Sequence, residues 1–172
     1  PNNPTGKVLS ENELLEILEI IRKHDQINIL SDEIYELILK NKVNHIPLVS
    51  LAKDLEDRIY TVNGFAKGWA MTGWRVGYLA GRKNVIKACS SLQSQSTSNV
   101  CSFAQKGAIQ ALKLKQEYFE KINLIYDERR ETLTKCLKEI KNIYLYPPNG
   151  AFYAFPQLPN TNISSIDFCK KA

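Results

Sequence analysis

Lys67 is the first residue whose surroundings suggest chemistry. It follows Asn63-Gly64-Phe65-Ala66 and precedes Gly68, so small residues flank it and a bulky ligand has room to approach. A short distance on, Met71-Thr72-Gly73-Trp74-Arg75 supplies a guanidinium. Earlier, Ser31-Asp32-Glu33-Ile34-Tyr35 supplies a carboxylate and a phenol. An amine nucleophile beside an arginine suits an aldehyde ligand that carries a phosphate: the amine attacks the carbonyl carbon, and the guanidinium fork pairs with phosphate oxygens. Taken singly, each residue has a plainer reading. A lysine or arginine is commonly a surface charge, Asp32 would serve as a helix N-cap, and Tyr35 as a partly buried aromatic.

The elements that must position these groups are legible in outline. Ser10 and Glu13 form a capping box, and Leu14, Ile17, Leu18 and Ile21 then recur with helical spacing, which predicts a helix to about His24. Ile27-Asn28-Ile29-Leu30 reads as a buried strand, Ile59-Tyr60-Thr61-Val62 as a second, and Val76-Gly77-Tyr78-Leu79-Ala80 as a third. Helices are expected near 83–94 and 100–114, separated by the polar run Ser94-Gln95-Ser96-Thr97-Ser98-Asn99. A long charged helix is expected over 115–141, with Phe119, Ile122, Ile125 and Tyr126 on its apolar side. Ile143–Tyr146 and Ala151–Phe155 read as strands joined by the turn Pro147-Pro148-Asn149-Gly150. A last helix begins with Ser165 as its N-cap. Asp32 and Tyr35, three residues apart, would share a face if a helix followed the first strand. Alternation of helix and strand predicts an α/β fold, in which ligands sit at the C-terminal ends of the strands. The polar clusters after the three early strands lie at those ends.

Composition narrows the classes. Of the 172 residues, 44% are hydrophobic and 24% charged, and the net charge is +5, a balance that argues against disorder. Acids and bases are interspersed, so the charge reads as a solvated surface and no nucleic-acid partner is expected. Apolar runs are short, so no membrane span is expected. Cys89, Cys101, Cys136 and Cys169 contain no Cys-x-x-Cys pair, and His24 and His45 have no such neighbour close in sequence. A zinc site is therefore not expected, and reduced thiols in a cytoplasmic protein are. Asn162-Ile163-Ser164 is a glycosylation-type triplet of little weight. The chain opens on a proline within a turn motif and closes on a helix just begun, so we expect an internal fragment of a longer chain.

Four ordered motifs carry a resemblance: Pro1-Asn2-Asn3-Pro4-Thr5-Gly6, Ser31-Asp32-Glu33-Ile34-Tyr35, Asn63-Gly64-Phe65-Ala66-Lys67, and Met71-Thr72-Gly73-Trp74-Arg75-Val76-Gly77-Tyr78. Together they closely resemble the class I/II aminotransferases, fold-type I enzymes that use pyridoxal 5′-phosphate (PLP). Gly150-Ala151-Phe152-Tyr153 resembles their small-domain strand. The stretch from Lys67 to Tyr78, with Ser96–Val100, is most similar to the aspartate aminotransferase branch that includes prephenate-using forms. The resemblance implies a mainly parallel sheet with flanking helices in a large PLP-binding domain over 1–115. It also implies a linking helix and the start of a small α+β domain over 116–172.

The same resemblance assigns roles. Lys67 matches the Schiff-base lysine, which also moves the proton at the substrate Cα. Asp32 matches the partner of the pyridine nitrogen, and Tyr35 the partner of the phenolic oxygen. Asn3 matches the residue that contacts the same oxygen and seats the substrate carboxylate, and Arg75 the phosphate-binding arginine. Asn2 is expected to do turn chemistry, and Trp69 and Trp74 to pack. Ala66 departs from the pattern, since many relatives carry a serine that contacts the phosphate there. One neutral hydrogen bond is worth roughly 0.5–1.5 kcal/mol, which other donors can offset. The family's phosphate loop, cofactor-stacking aromatic and substrate-carboxylate arginine find no match within these residues.

The implied activity is ping-pong transfer of an amino group, from aspartate or a related acidic or aromatic amino acid, to a 2-oxo acid by a homodimer. Ser96–Asn99 matches a segment near the dimer interface. Two other readings use the same resemblance. A PLP-dependent carbon–sulfur lyase or ring-closing enzyme would use the same core residues, because the cofactor does the bond breaking. A PLP-sensing domain of a transcription regulator would couple this fold to DNA binding.

Overall fold

The computed structural model of the chain describes residues 1–158 and 164–171. Asn162 and Ile163 of the glycosylation-type triplet lie outside them.

Helix α1 (Glu11–Arg22) begins as its sequence dictates. The Ser10 hydroxyl accepts from the Glu13 amide, and the Glu13 carboxylate accepts from the Ser10 amide, so two otherwise orphaned donors are satisfied reciprocally. Its fully buried residue, Leu18, packs with Leu48, Ala52, Leu55 and Ile59. The helix stops at Arg22 rather than near His24. The Arg58 guanidinium takes up carbonyls at and just beyond its end, donating to Ile21 at 3.1 Å and to His24 at 2.8 Å. Arg58 also donates to the Ile27 carbonyl. That engagement explains a second difference: strand β1 spans Ile29–Asp32, two residues later than expected, because Ile27 belongs to the turn and not to the ladder.

Strand β2 (Ile59–Gly64) lies between β1 and strand β3 (Gly77–Ala80). It pairs in parallel with β1, Ile29 opposite Ile59 through Asp32 opposite Val62. It pairs antiparallel with β3, Gly64 opposite Gly77. The class is α/β as expected, and these three strands form a mixed sheet with one parallel and one antiparallel pair. Gly64 is required by closeness: a Cβ there would lie 2.7 Å from the Val76 carbonyl and 2.8 Å from the Gly77 Cα. The first strand is not buried on both faces. Its residues alternate half-buried and exposed, and Leu30 is 68% exposed, because α1 and its core cover one face and no layer among the described residues covers the other.

Helices α2 (Lys83–Ser96) and α3 (Ser102–Ala111) follow. The polar run is partly helical: α2 continues through Ser96, and the chain turns at Thr97 and at Ser98, whose φ is +59°. Ala108 of α3 joins Phe65 and Met71 in a second core beneath the Lys67 turn. Trp74 packs on Gly107, where a Cβ would meet its ring at 2.5 Å.

Helix α4 (Gln116–Lys138) sends polar side chains to the backbone of irregular segments. Asn123 accepts from the Leu39 amide and donates to the Leu37 carbonyl, and Asp127 accepts from the Asn41 amide. Arg130, 7% exposed, donates to the Ala151 carbonyl and to Asp127, both at 2.6 Å. Ala151 is completely buried, has φ +52°, and donates to the Ile38 carbonyl. A left-handed residue cannot continue a pleated strand, so the expected strand over 151–155 is absent. Pairing shifts outward instead, to β4 (Tyr144–Leu145) with β5 (Pro156–Gln157). The last helix, α5 (Ser165–Lys171), is capped by Ser164 and not by Ser165: the Ser164 hydroxyl accepts from the Asp167 amide at 3.1 Å.

Arg130→Ala should destabilise the chain by roughly 3 kcal/mol, since it removes the charge partner of the half-buried Asp127 and the side-chain donor to the buried Ala151 carbonyl. Urea unfolding followed by circular dichroism measures this, and an unchanged midpoint would contradict the role given to Arg130.

Candidate active site

Three chain reversals at one edge of the sheet bring the expected residues together. β1 ends at Asp32, and the Glu33 amide still donates to the Val62 carbonyl at 2.9 Å. The chain then turns through 33–36 and sends Tyr35 inward, where it is 5% exposed. β2 ends at Gly64. The next residues close a turn in which Met71 donates to the Phe65 carbonyl and Ala70 to the Lys67 carbonyl. Arg75 stands just before β3, which starts opposite Gly64. Asp32, Tyr35, Lys67 and Arg75 therefore share this edge because of the register of two ladders.

The Lys67 ammonium nitrogen lies 5.7 Å from the centre of the Tyr35 ring and 5.5 Å from that of Phe152. Lys67 forms no salt bridge among the described residues. Its small neighbours do not clear space for a ligand as expected. Gly68 packs against Leu37, with a Cβ position 2.8 Å from that side chain, and Gly64 packs against Gly77. Gly73, by contrast, has open space at its Cβ position.

No helix follows β1, so Asp32 and Tyr35 are not placed by helical spacing. Asp32 is exposed, and its carboxylate accepts from the Ile34 amide at 3.1 Å, closing a local turn. The Tyr35 hydroxyl is hydrogen-bonded to the Tyr153 hydroxyl. Burial first, and this bond second, push the Tyr35 phenol well above its ordinary value, and the Asp32 charge adds to the effect. Tyr35 packs edge-on against both Phe152 and Tyr153, ring centres 5.5 Å apart in each case. Phe152 in turn stacks on Tyr126 of α4. Sequence reasoning gave Phe152 and Tyr153 no role. Their sequence signal is the Gly150–Tyr153 motif, which by its pattern predicts a strand.

Arg75 has φ +55° and donates to the Thr72 carbonyl at 2.8 Å. It makes no hydrogen bond to Lys67, Tyr35 or Asp32 among the described residues. Arg75 lines a 390 Å³ cavity with Thr97, Asn99 and Cys101. Asn3 is exposed and its side chain has no hydrogen bond among the described residues. Asn2 does the turn chemistry, accepting from the Thr5 hydroxyl at 2.8 Å. The turn is nevertheless pinned beside the aromatic cluster: the Gly6 carbonyl accepts from Asn149 and Gly150, and the Asn149 side chain accepts from the Val8 amide. Trp69 packs between Phe65 and Phe119, as expected of a packing residue. Trp74 does so against Gly107 while remaining 45% exposed.

A buried acid, Glu33, lies beneath this edge. It accepts from the Ser31 hydroxyl at 2.9 Å and the Leu48 amide at 3.3 Å, and bonds the His45 ring at 3.1 Å. Burial favours its neutral form, but these bonds together outweigh burial and hold the carboxyl below its ordinary value. Glu33, Glu36 and His45 bring ligand atoms within 4.8 Å of one another. The bonds to Glu33 engage both of its oxygens within the fold. The four cysteines are exposed and unpaired. No described helix is long and apolar enough to cross a membrane.

An amine with no ion pair and a guanidinium with spare N–H groups among the described residues, with an inward phenol and a carboxylate, fit as a donor set an aldehyde cofactor bearing a phosphate and a basic ring nitrogen. The profile of the family described as aminotransferase class I and II matches residues 1–171. A probable aspartate/prephenate aminotransferase of Rickettsia bellii is 46% identical over 155 residues, covering 90% of this chain and 39% of that protein. A bifunctional aspartate aminotransferase and glutamate/aspartate-prephenate aminotransferase of Petunia hybrida is 44% identical over 161 residues, covering 92% and 33%. Among solved structures, the aspartate aminotransferase from Rhizobium meliloti superposes with a TM-score of 0.93 at 31% identity, over 99% of this chain and 45% of its own. The aromatic aminotransferase from Pyrococcus horikoshii gives 0.91 at 36% identity, over the same shares. The chain thus spans less than half the length of these relatives.

Because folding lowers the Glu33 pKa, Glu33 contributes stability above the unfolded value of about 4.3, and that contribution disappears as pH falls through the folded value. Glu33→Gln should therefore be less stable than the parent at pH 7, with the gap narrowing on acidification. Urea midpoints at pH 7, 5 and 3.5 test this, and a constant gap would be contrary.

Proposed function

This chain belongs to the aminotransferase class I and II family, and on that premise we propose that the protein carrying it transfers amino groups between amino acids and 2-oxo acids with PLP as cofactor. The single observation that carries the reading is Lys67. Its amine is held on a tight turn at the strand ends, beside two adjoining aromatic rings and without an ion pair among the described residues. Such an amine is available as a nucleophile towards an aldehyde and as a proton carrier at a substrate carbon.

In this reading the other residues hold the cofactor and substrate. The Asp32 carboxylate, at the end of β1, pairs with the protonated ring nitrogen. The Tyr35 hydroxyl and the Asn3 amide donate to the phenolic oxygen, and Asn3 also seats the substrate carboxylate. The Arg75 fork, with its unused N–H groups, binds the phosphate. PLP, when bound, supplies the electron sink for bond breaking at Cα. Lys67 would hold the proton released at Cα and deliver it to the cofactor's C4′ carbon, on the far side of the intervening nitrogen.

The names of the relatives support aspartate, or a related acidic or aromatic amino acid, as donor and favour transamination over a carbon–sulfur lyase. The large domain is then 1–115, and 116–172 is the linking helix and the start of the small domain. A homodimer in the cytoplasm completes the proposal.

Treatment with PLP, reduction with borohydride and peptide mapping should place one label on Lys67 and none in Lys67→Ala. Lys67→Ala should also slow amino transfer from aspartate to 2-oxoglutarate by roughly 10³-fold or more. Labels scattered over surface lysines in the natural protein, or pyruvate and ammonia formed without an acceptor, would overturn the reading.

A further inference from the structure

The Tyr153 hydroxyl has no place in the roles given above, yet it is the partner of the one buried phenol at the site. Its position is set from several sides. Ala151, two residues before it, is tied by its amide to Ile38 and by its carbonyl to the buried Arg130. Gly150 bridges to Leu39, and its amide donates to Gly6. Phe152 is wedged between Tyr35, Tyr126 and the Lys67 amine. A residue carried on such an anchored loop has little freedom to leave its partner.

We propose that Tyr153 is a positioning residue, whose hydroxyl holds the Tyr35 hydroxyl in place and leaves its single proton free for an anionic oxygen. The proposal deepens the function proposed above and rests on it for the identity of that oxygen. A phenol has one proton to donate and two lone pairs with which to accept. When Tyr35 has no other partner, it can donate to Tyr153. When an anionic oxygen competes for that proton, Tyr153 can reverse its role and donate to Tyr35. The resulting chain runs from Tyr153 to Tyr35 to the anion, and each bond polarises the next. The other charged groups facing Tyr35 are Asp32, which opposes ionisation of the phenol, and Lys67, above its ring. Neither can supply the hydroxyl-to-hydroxyl bond.

Tyr153→Phe keeps the ring and removes only the hydroxyl. In the natural protein carrying this sequence, labelled at tyrosine Cζ and free of cofactor, carbon NMR against pH should show Tyr35 titrating later than ordinary tyrosines. In Tyr153→Phe its midpoint should shift, because the Tyr153 hydroxyl can accept from the phenol and donate to the phenolate, while circular dichroism stays unchanged. An unmoved midpoint overturns the proposal, whatever becomes of the cofactor. With PLP added, borohydride labelling of Lys67 should persist in the variant, and the pH midpoint of the visible absorbance should move in the same direction as in Tyr35→Phe. The double variant should add nothing beyond Tyr35→Phe alone, and additive shifts would mean that Tyr153 acts independently, contrary to the proposal. Failure to label Lys67 in the unsubstituted protein would sink the function proposed above, and the cofactor-free titration would still decide whether Tyr153 holds Tyr35.

Discussion

The pairing of β2 with a parallel neighbour on one side and an antiparallel neighbour on the other constrains everything at the site. Asp32 faces Val62 on one ladder and Gly64 faces Gly77 on the other, so the ends of β1 and β2 and the start of β3 meet at one edge. A slip of one residue would turn Asp32 to the opposite face and carry Lys67 and Arg75 out of step. Gly64 protects this arrangement, because any Cβ there would collide with the backbone of 76–77. The chemistry-bearing side chains then need no long-range steering of their own. Each sits within a few residues of a ladder that is already fixed.

The second constraint is polar and comes from α4. Segments 37–41 and 149–154 meet at one antiparallel bridge, Leu39 with Gly150, and are otherwise irregular, so further backbone groups there need partners from outside. Asn123, Asp127 and Arg130, spaced along one side of α4, supply the missing partners. This lets Ala151 adopt a left-handed conformation in a fully buried setting, and that kink turns Phe152 and Tyr153 towards Tyr35 and Lys67. The arginine at the centre has both terminal nitrogens engaged, while its buried Nε has no hydrogen-bond partner among the described residues.

Local signals in the sequence were reliable where the physics is local. The capping box at Ser10 and Glu13, the helical spacing of Leu14, Leu18 and Ile21, and the turn chemistry of Asn2 all appear as read. Errors cluster where a distant group intervenes. Arg58 shortens α1 and displaces β1, and Arg130 with Ile38 replaces the strand over 151–155 by a kink. The small residues around Lys67 show the same lesson. Their size was legible, but its use was not: Gly68 makes room for Leu37 rather than for a ligand.

The sequence by itself determined the α/β class, the order of the elements, and the set of groups gathered at the strand ends. Those follow from periodicity, capping and motif order, all encoded over a few residues. Only the tertiary structure decided the mixed pairing of the sheet, the inward turn of Tyr35 without a helix, and the meeting of Tyr35 with Tyr153. The latter two residues lie 118 positions apart. Their hydroxyls meet because a buried arginine on a third element holds the intervening loop, and no pattern within either local stretch records that contact.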